Sequence, residues 1–284
     1  MNNKPITAIL IGAGFRGRNS YGIYGLKYPD RLKFVAVAEP DPTKRELFQK
    51  EHGIADSNVF RTWQEILDPS IGKIADIAFI CTQDRMHYEP AIKALELGYD
   101  LLLEKPISPN LDECQHISKL AQEKNRIVQV CHVLRFTKFF KKLKEFIDSG
   151  VIGKIIDYDH SENVSYWHFG HSFVRGQYKK KEESSPLILA KSCHDLDIMY
   201  WLIGEKPLTV QSKGFLSFYR PENAPSDAPD RCTDGCPHEK TCPWYAPRLY
   251  ITGEPLIRIG FHANSRILRI LSSMINNHRM FINL

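Results

Sequence analysis

Near the start of the chain an apolar run, Ile6-Thr7-Ala8-Ile9-Leu10-Ile11, passes straight into Gly12-Ala13-Gly14-Phe15-Arg16-Gly17. A strand that ends in G-x-G-x-x-G and opens a helix leaves the chain little choice of fold. The first glycine makes a tight turn, the second lets the backbone approach an anion, and the third lets helix and strand pack closely. The helix N-terminus then presents unpaired N–H groups and a partial positive charge, which suits a pyrophosphate. Gly12, Gly14, Phe15, Arg16 and Gly17 are therefore candidate cofactor-binding residues.

The surroundings agree with this reading. A second apolar run, Phe34 to Ala38, ends in Glu39. That places an acid about 20 residues beyond the glycines, where a carboxylate accepts hydrogen bonds from ribose hydroxyls. The bland alternative for Glu39 is a solvated acid at a strand end. A carboxylate there repels a 2′-phosphate, which favours NAD over NADP. Arg16 and Arg45, nearby in sequence, would soften that preference.

The first half of the chain alternates strand and helix. Helices are expected over Pro42 to His52, stopped by Gly53; from Thr62 through Leu67; over His87 to Leu97; and over Leu111 to Glu123. Between them, Ile74 to Cys81, Leu101 to Leu103 and Ile127 to Cys131 read as buried strands. Such alternation implies a parallel sheet covered on both faces. After residue 131 the pattern changes. Phe139 to Ile147 reads as an amphipathic helix, Lys154 to Val164 as a long half-exposed strand, His194 to Leu202 as a helix closed by Gly204, and Leu208 to Phe218 as another strand. The expected organisation is a dinucleotide-binding domain over 1–131 and a substrate-binding α+β domain over 132–284.

A length of 284 residues suits one large or two ordinary domains. No apolar run approaches the ~20 residues that span a bilayer. The N-terminus runs directly into a strand with no leader-like segment, so a cytoplasmic location is expected. The net charge of +5 is mild. The lysine clusters at 138–144 and 179–181 read as solvated surface, with no nucleic-acid motif beside them.

Glu104-Lys105-Pro106 ends a strand at the edge of the sheet where ligands bind in open α/β folds. A lysine there can hydrogen-bond a substrate hydroxyl and, with a lowered pKa, assist proton removal. The alternative is a surface acid–lysine pair at a turn. The glycine loop, Glu39, Thr82 to His87, Glu104-Lys105-Pro106 and Gly150-Val151-Ile152-Gly153-Lys154 occur in this order and at distances that resemble the Gfo/Idh/MocA family (glucose–fructose oxidoreductase, inositol dehydrogenase and rhizopine catabolism proteins). The resemblance covers roughly residues 5 to 255. It implies a Rossmann domain followed by an α+β domain with an open, mainly antiparallel sheet, and hydride transfer between NAD(P) and a sugar or cyclitol. It implies a catalytic role for Lys105, a place beside the nicotinamide for Glu104, and a cofactor pocket lined by Thr82 and His87. It also assigns substrate contact or acid–base work to His194, whose ordinary pKa of about 6.5 suits proton exchange near neutrality.

One position departs from the family pattern. Many members carry an aspartate four residues before that histidine, where this chain has Ala190 followed by Lys191. Lys191 is accordingly a candidate for the catalytic group. The stretch Trp167 to Gly176 is dense in groups that bind polyols. His168, His171 and Arg175 are candidate substrate contacts, with Arg135 on the segment crossing between domains as a fourth. A buried tryptophan loop is the alternative.

Cys232-x3-Cys236-x5-Cys242 lies in a Pro/Gly-rich loop with His238 between. Three thiolates with His238 or Cys193 as fourth ligand would make a zinc site; reduced thiols or a disulfide are the alternatives. After about Pro255 the resemblance fails, so the sheet is expected to be truncated and residues 256–284 atypical, with an amphipathic helix over Ile267 to Ile275. An intact sheet would support a homo-oligomer. Two further readings stay open: a glycosidase of the same family that uses NAD transiently, and a non-catalytic NAD-binding regulator or remnant.

Overall fold

The computed structural model describes residues 4–251; the expectations for the tail beyond Pro255 lie outside the described residues. Six parallel strands form one sheet: β1 (Ile6–Ile11), β2 (Leu32–Ala38), β3 (Val59–Phe60), β4 (Ile77–Ile80), β5 (Asp100–Leu103) and β6 (Val128–Val130). Their spatial order is β3-β2-β1-β4-β5-β6. The chain winds outward in one direction from β1 to β3, then returns to β4 on the other side of β1 and winds the opposite way. The crevice beyond the carboxyl ends of β1 and β4 is the switch point where open α/β sheets bind ligands.

Alternation along the strands builds two cores. Ile9 and Ile11 of β1, Ala78 and Ile80 of β4, and Leu101 and Leu103 of β5 pack on one face. Ala8, Leu10, Ile77, Phe79 and Leu102 pack on the other. Both faces are covered, so the strands read as continuous apolar runs. Phe79 is fully buried and meets Phe34 edge-on at 5.1 Å and Tyr21 at 5.6 Å between ring centroids.

Local signals set the helix ends. In α2 (Pro42–His52), Asp41 accepts from the Thr43 and Lys44 amides, Pro42 occupies the first turn, and Gly53 closes the helix at φ 62°. In α5 (Leu111–Glu123), Asn110 accepts from the Asp112 amide, and Asp112 and Glu113 face the positive end of the helix dipole. The remaining helices of this half are α1 (Ile23–Lys27), which continues a wide π-helix over Phe15–Gly22, α3 (Trp63–Ile66) and α4 (Tyr88–Glu96).

From residue 132 onward the described residues hold α6 (Lys138–Asp148), α7 (Tyr166–Phe169), α8 (Leu187–Ala190), α9 (Cys193–Ile203) and α10 (Ala246–Tyr250). The two strands expected over 154–164 and 208–218 are chain without regular secondary structure and with no ladder partner among the described residues. The reason is physical: a strand exists only through paired backbone, and alternation alone does not supply a neighbour. Ile156, Leu208, Val210 and Phe215 are accordingly left highly exposed.

The aromatic contact under β4 gives a direct stability test. Phe79→Ala should cost about 3–5 kcal/mol, read as a drop in the urea midpoint with little change in slope. A loss below about 1 kcal/mol would mean that this face is not the packed core.

Candidate functional site at the carboxyl edge of the sheet

The glycine loop follows β1. Gly12 sits at φ 94°, and a Cβ there would lie 2.6 Å from the Cys81 carbonyl oxygen. A Cβ on Gly17 would lie 2.0 Å from the Gly12 carbonyl oxygen. Both must be glycine for β1, β4 and the following helix to approach as they do. Gly14 differs: a Cβ there meets nothing within 4 Å, so its lack of a side chain leaves open room beside the helix N-terminus. Those are the properties of a pyrophosphate cradle.

Glu39 follows β2 and is buried at 8 % exposure. One carboxylate oxygen accepts from the Ala13 amide at 2.7 Å and the other from the Asp41 amide at 3.1 Å. The acid thereby ties the end of β2 to the glycine loop, and its remaining lone pairs can still accept ribose hydroxyls. Arg45 donates through one guanidinium nitrogen to the carbonyls of Glu39 at 2.6 Å and Pro40 at 3.1 Å.

The ends of β4 and β5 carry the next groups. The Thr82 hydroxyl donates to the Met86 carbonyl at 3.0 Å, which turns the chain toward His87. His87 is fully buried, with Nδ1 2.8 Å from the Pro106 carbonyl and Nε2 3.1 Å from that of Thr82. It braces the turn after β4 against the turn after β5. Glu104 is also buried: it accepts from the Tyr21 hydroxyl at 2.5 Å and from the Lys105 amide at 3.1 Å. Arg16 lies 3.9 Å from the same carboxylate. Burial and the Glu104 and Cys131 groups raise the Tyr21 phenol well above its ordinary range, so it remains a donor to Glu104.

Lys105 leaves the sheet and reaches across to the second half of the chain, where its Nζ donates to the Ala190 carbonyl at 2.8 Å. At position 190, where the family resemblance leads to the expectation of an aspartate, this chain offers a backbone acceptor. Lys191 turns away to pair with Glu162 at 2.5 Å. His194, one turn further on, is 8 % exposed with its Nδ1 buried and unpartnered. Burial, then the charges of Lys105, His132 and Lys191, push its pKa down to about 2. That lowering favours the neutral imidazole.

The site also holds residues that the sequence did not single out. His132 follows β6 directly, at the same sheet edge, and its ring meets that of His194 edge-on at 5.9 Å. Its place at a strand end was the available signal. Arg135 is held by both oxygens of Asp197, at 2.8 and 2.5 Å, so its guanidinium clamps α9 to the segment leaving the Rossmann sheet. His160 pairs with Asp195 at 2.9 Å, and together with the Glu162–Lys191 pair it ties residues 160 and 162 to the α8–α9 junction and the first turn of α9.

The polyol-binding candidates fall less closely together. Burial and Lys191 lower the His168 pKa, with Lys105 contributing, which places this residue within electrostatic reach of the site. His171 bonds the Tyr250 hydroxyl at 2.6 Å. Arg175 donates to the Trp244 carbonyl and borders a separate aromatic cavity of about 430 Å³ with Phe218, Tyr219 and Trp244. The zinc expectation is corrected. Cys232, Cys236 and Cys242 are free thiols, His238 turns to Asp227 at 2.7 Å, and no group of three or more ligands converges among the described residues. Sequence clustering on a turn-rich loop did not bring the sulfurs to one point.

A six-stranded parallel sheet with a glycine cradle, a buried acid after β2 and a lysine after β5 defines a dinucleotide-binding protein of the Rossmann type. The chain belongs to the Gfo/Idh/MocA family. The model of its oxidoreductase domain with NAD-binding Rossmann fold matches residues 6–132, and the model of its C-terminal domain matches residues 140–234. The scyllo-inositol 2-dehydrogenase (NAD(+)) of Bacillus subtilis is 30% identical over 191 residues, which take in 64% of this chain and 49% of that protein. The 2,7-anhydro-N-acetylneuraminate hydratase of Escherichia coli is 30% identical over 211 residues, 69% of this chain and 52% of that protein. A crystal structure of scyllo-inositol dehydrogenase from Lactobacillus casei with bound NAD(H) and scyllo-inositol shares the fold. Its TM-score is 0.59 at 24% identity, over 71% of this chain and 57% of that one. The chain spans about half the length of the curated relatives it matches. No helix among the described residues is long and apolar enough to cross a membrane.

The neutral state of His194 has a stability consequence. Its folded pKa lies far below the unfolded value, so below about pH 6.5 the unfolded chain takes up a proton that the folded chain refuses. Stability contributed by this residue is present above that pH and is lost as pH falls. Between pH 7 and pH 5 the loss should be about 2 kcal/mol, and His194→Gln should remove that share. Urea unfolding of both proteins at the two pH values measures it; equal losses in both would contradict the assignment.

Proposed function

We propose that this chain forms the cofactor-binding and substrate-facing part of an NAD-dependent oxidoreductase acting on a CH–OH group of a sugar or cyclitol. The observation that carries the reading is the Lys105 ammonium, which leaves the sheet edge beside Glu104 and faces Ala190 and His194 from the second half of the chain. Family membership and the inositol dehydrogenase relatives support it. The glycine loop and Glu39 would hold the dinucleotide, Thr82, His87 and Glu104 would line its nicotinamide end, and bound NAD would supply the hydride acceptor.

The chain's own residues would do the rest. Lys105 Nζ would exchange the Ala190 carbonyl for the substrate hydroxyl and hold that oxygen while its proton passes to solvent water. His194, neutral with a free ring nitrogen, would accept or donate a hydrogen bond to a neighbouring hydroxyl. Lys191, His168, His171 and Arg175 would contribute to the polyol site, with Arg135 fixing the helix that carries His194. The carboxylate at Glu39 favours NAD over NADP. Division into units at 131/132, a cytoplasmic location and a homo-oligomer belong to the same reading; the exposed Leu208, Val210 and Phe215 support assembly.

The likeness to a hydratase favours a second reading. A hydratase makes no net change in oxidation state, and a sugar-processing reaction with transient oxidation would use the same residues. Net NADH formation from a panel of polyols and sugar acids separates the two.

Lys105→Ala tests the assignment common to both. Turnover should fall by about 10²-fold or more, while NAD affinity changes by less than about threefold, as measured by quenching of protein fluorescence. Turnover retained in the variant would overturn the role of Lys105.

A further inference from the structure

The segment from Gly176 to Pro186 crosses from the second half of the chain onto the Rossmann edge. Its anchor is Asp84, in the turn after β4, which is 4 % exposed. The fully buried Ser185 donates its hydroxyl to one oxygen of Asp84. The Tyr178 hydroxyl approaches the other oxygen at 3.5 Å. Next to them, Arg85 donates to the Lys181 carbonyl at 2.8 Å. Two residues past Ser185 the chain enters α8, whose last residue, Ala190, supplies the Lys105 acceptor.

Tyr178 shows where this segment lies. Its ring rests on Phe173 at 5.5 Å. Burial first, then the charge of Asp84 and also that of Glu104, push its pKa up to about 12, with Arg16 acting the other way. These three charged groups follow different strands: Arg16 follows β1, Asp84 follows β4 and Glu104 ends β5. The phenol sits 3.5 Å from Asp84, in the turn that follows β4 and borders the switch-point crevice. Lys179, Lys180 and Lys181 meanwhile are exposed.

We propose that residues 176–186 roof the reacting end of the dinucleotide crevice, latched through Ser185 and Tyr178 on Asp84, and that opening this latch controls cofactor exchange. The inference rests on the dinucleotide reading of the crevice and adds the residues that govern release. The chemistry suits a latch. A buried carboxylate whose partners come from a separate segment is costly to expose unpaired, so the segment stays down unless all of its contacts part together. Lids of this kind commonly limit ligand release.

The test is NADH release from the purified protein, followed by stopped-flow fluorescence on displacement with excess NAD. Ser185→Ala should raise the release rate roughly ten- to hundredfold, the size expected for loss of one hydrogen bond to a charged group, and Tyr178→Phe, whose contact with Asp84 is longer, roughly three- to tenfold. Tyr178→Phe keeps the ring on Phe173, so it decides the matter should Ser185→Ala fold poorly. Trypsin supplies a readout independent of turnover. NADH should slow cleavage at Lys179 to Lys181 in the parent protein, and the variants should lose that protection. Unchanged release rates together with unchanged protection overturn the roof while leaving the dinucleotide reading intact. Failure of the parent protein to bind NADH overturns both.

Discussion

The close passage of backbone over backbone at the end of β1 is the constraint on which the rest of the site depends. The Gly17 Cα and the Gly12 carbonyl approach so nearly that a methyl group would fall 2.0 Å from oxygen. That contact sets the start of the following helix against the strand and leaves the Gly14 side open. It also places Ala13 where its amide reaches Glu39, so β2 is tied to β1 beyond the last ladder bond. Tyr21, on the same helix, is carried inward until its hydroxyl reaches Glu104 at the end of β5. One steric condition thus propagates through two buried carboxylates to the turn that carries Lys105.

The second half of the chain meets that edge through a few charged or polar contacts. Arg135 and Asp197 fix α9, Lys105 reaches Ala190, and Asp84 receives Ser185. Each joins residues that are far apart in sequence, and each lies beside the crevice. The burial of His194, and after it the nearby cations, which together lower its pKa, follow from this meeting of the two halves.

How much of this was legible in the sequence depended on range. The helices expected over Pro42 to His52, stopped by Gly53, and over roughly Leu111 to Glu123 match α2 and α5; their N-caps, Asp41 and Asn110, emerge only in the structure. The strand expected over Ile74 to Cys81 is shorter, Ile77–Ile80, because pairing with β1 and β5 sets its ends. The glycine loop, Glu39 and Glu104-Lys105 were visible because their chemistry is bound to strand ends. Tyr21, Asp84, His132 and Tyr178 were not, since their partners lie on other strands or in the other half of the chain. The cysteine cluster misled for the same reason: proximity along a loop says little about convergence in space.

The acceptor for Lys105 is main chain, and this changes what mutation can reach. A side-chain aspartate at position 190 can be lost in one substitution, whereas the Ala190 carbonyl survives any replacement that keeps the α8 backbone in place. The constraint therefore passes from the identity of one residue to the path of a short helix. Sequence drift at 190 would leave the lysine's partner intact, while an insertion or deletion between Ser185 and His194 would remove it. Genetic fragility at this site lies in chain length.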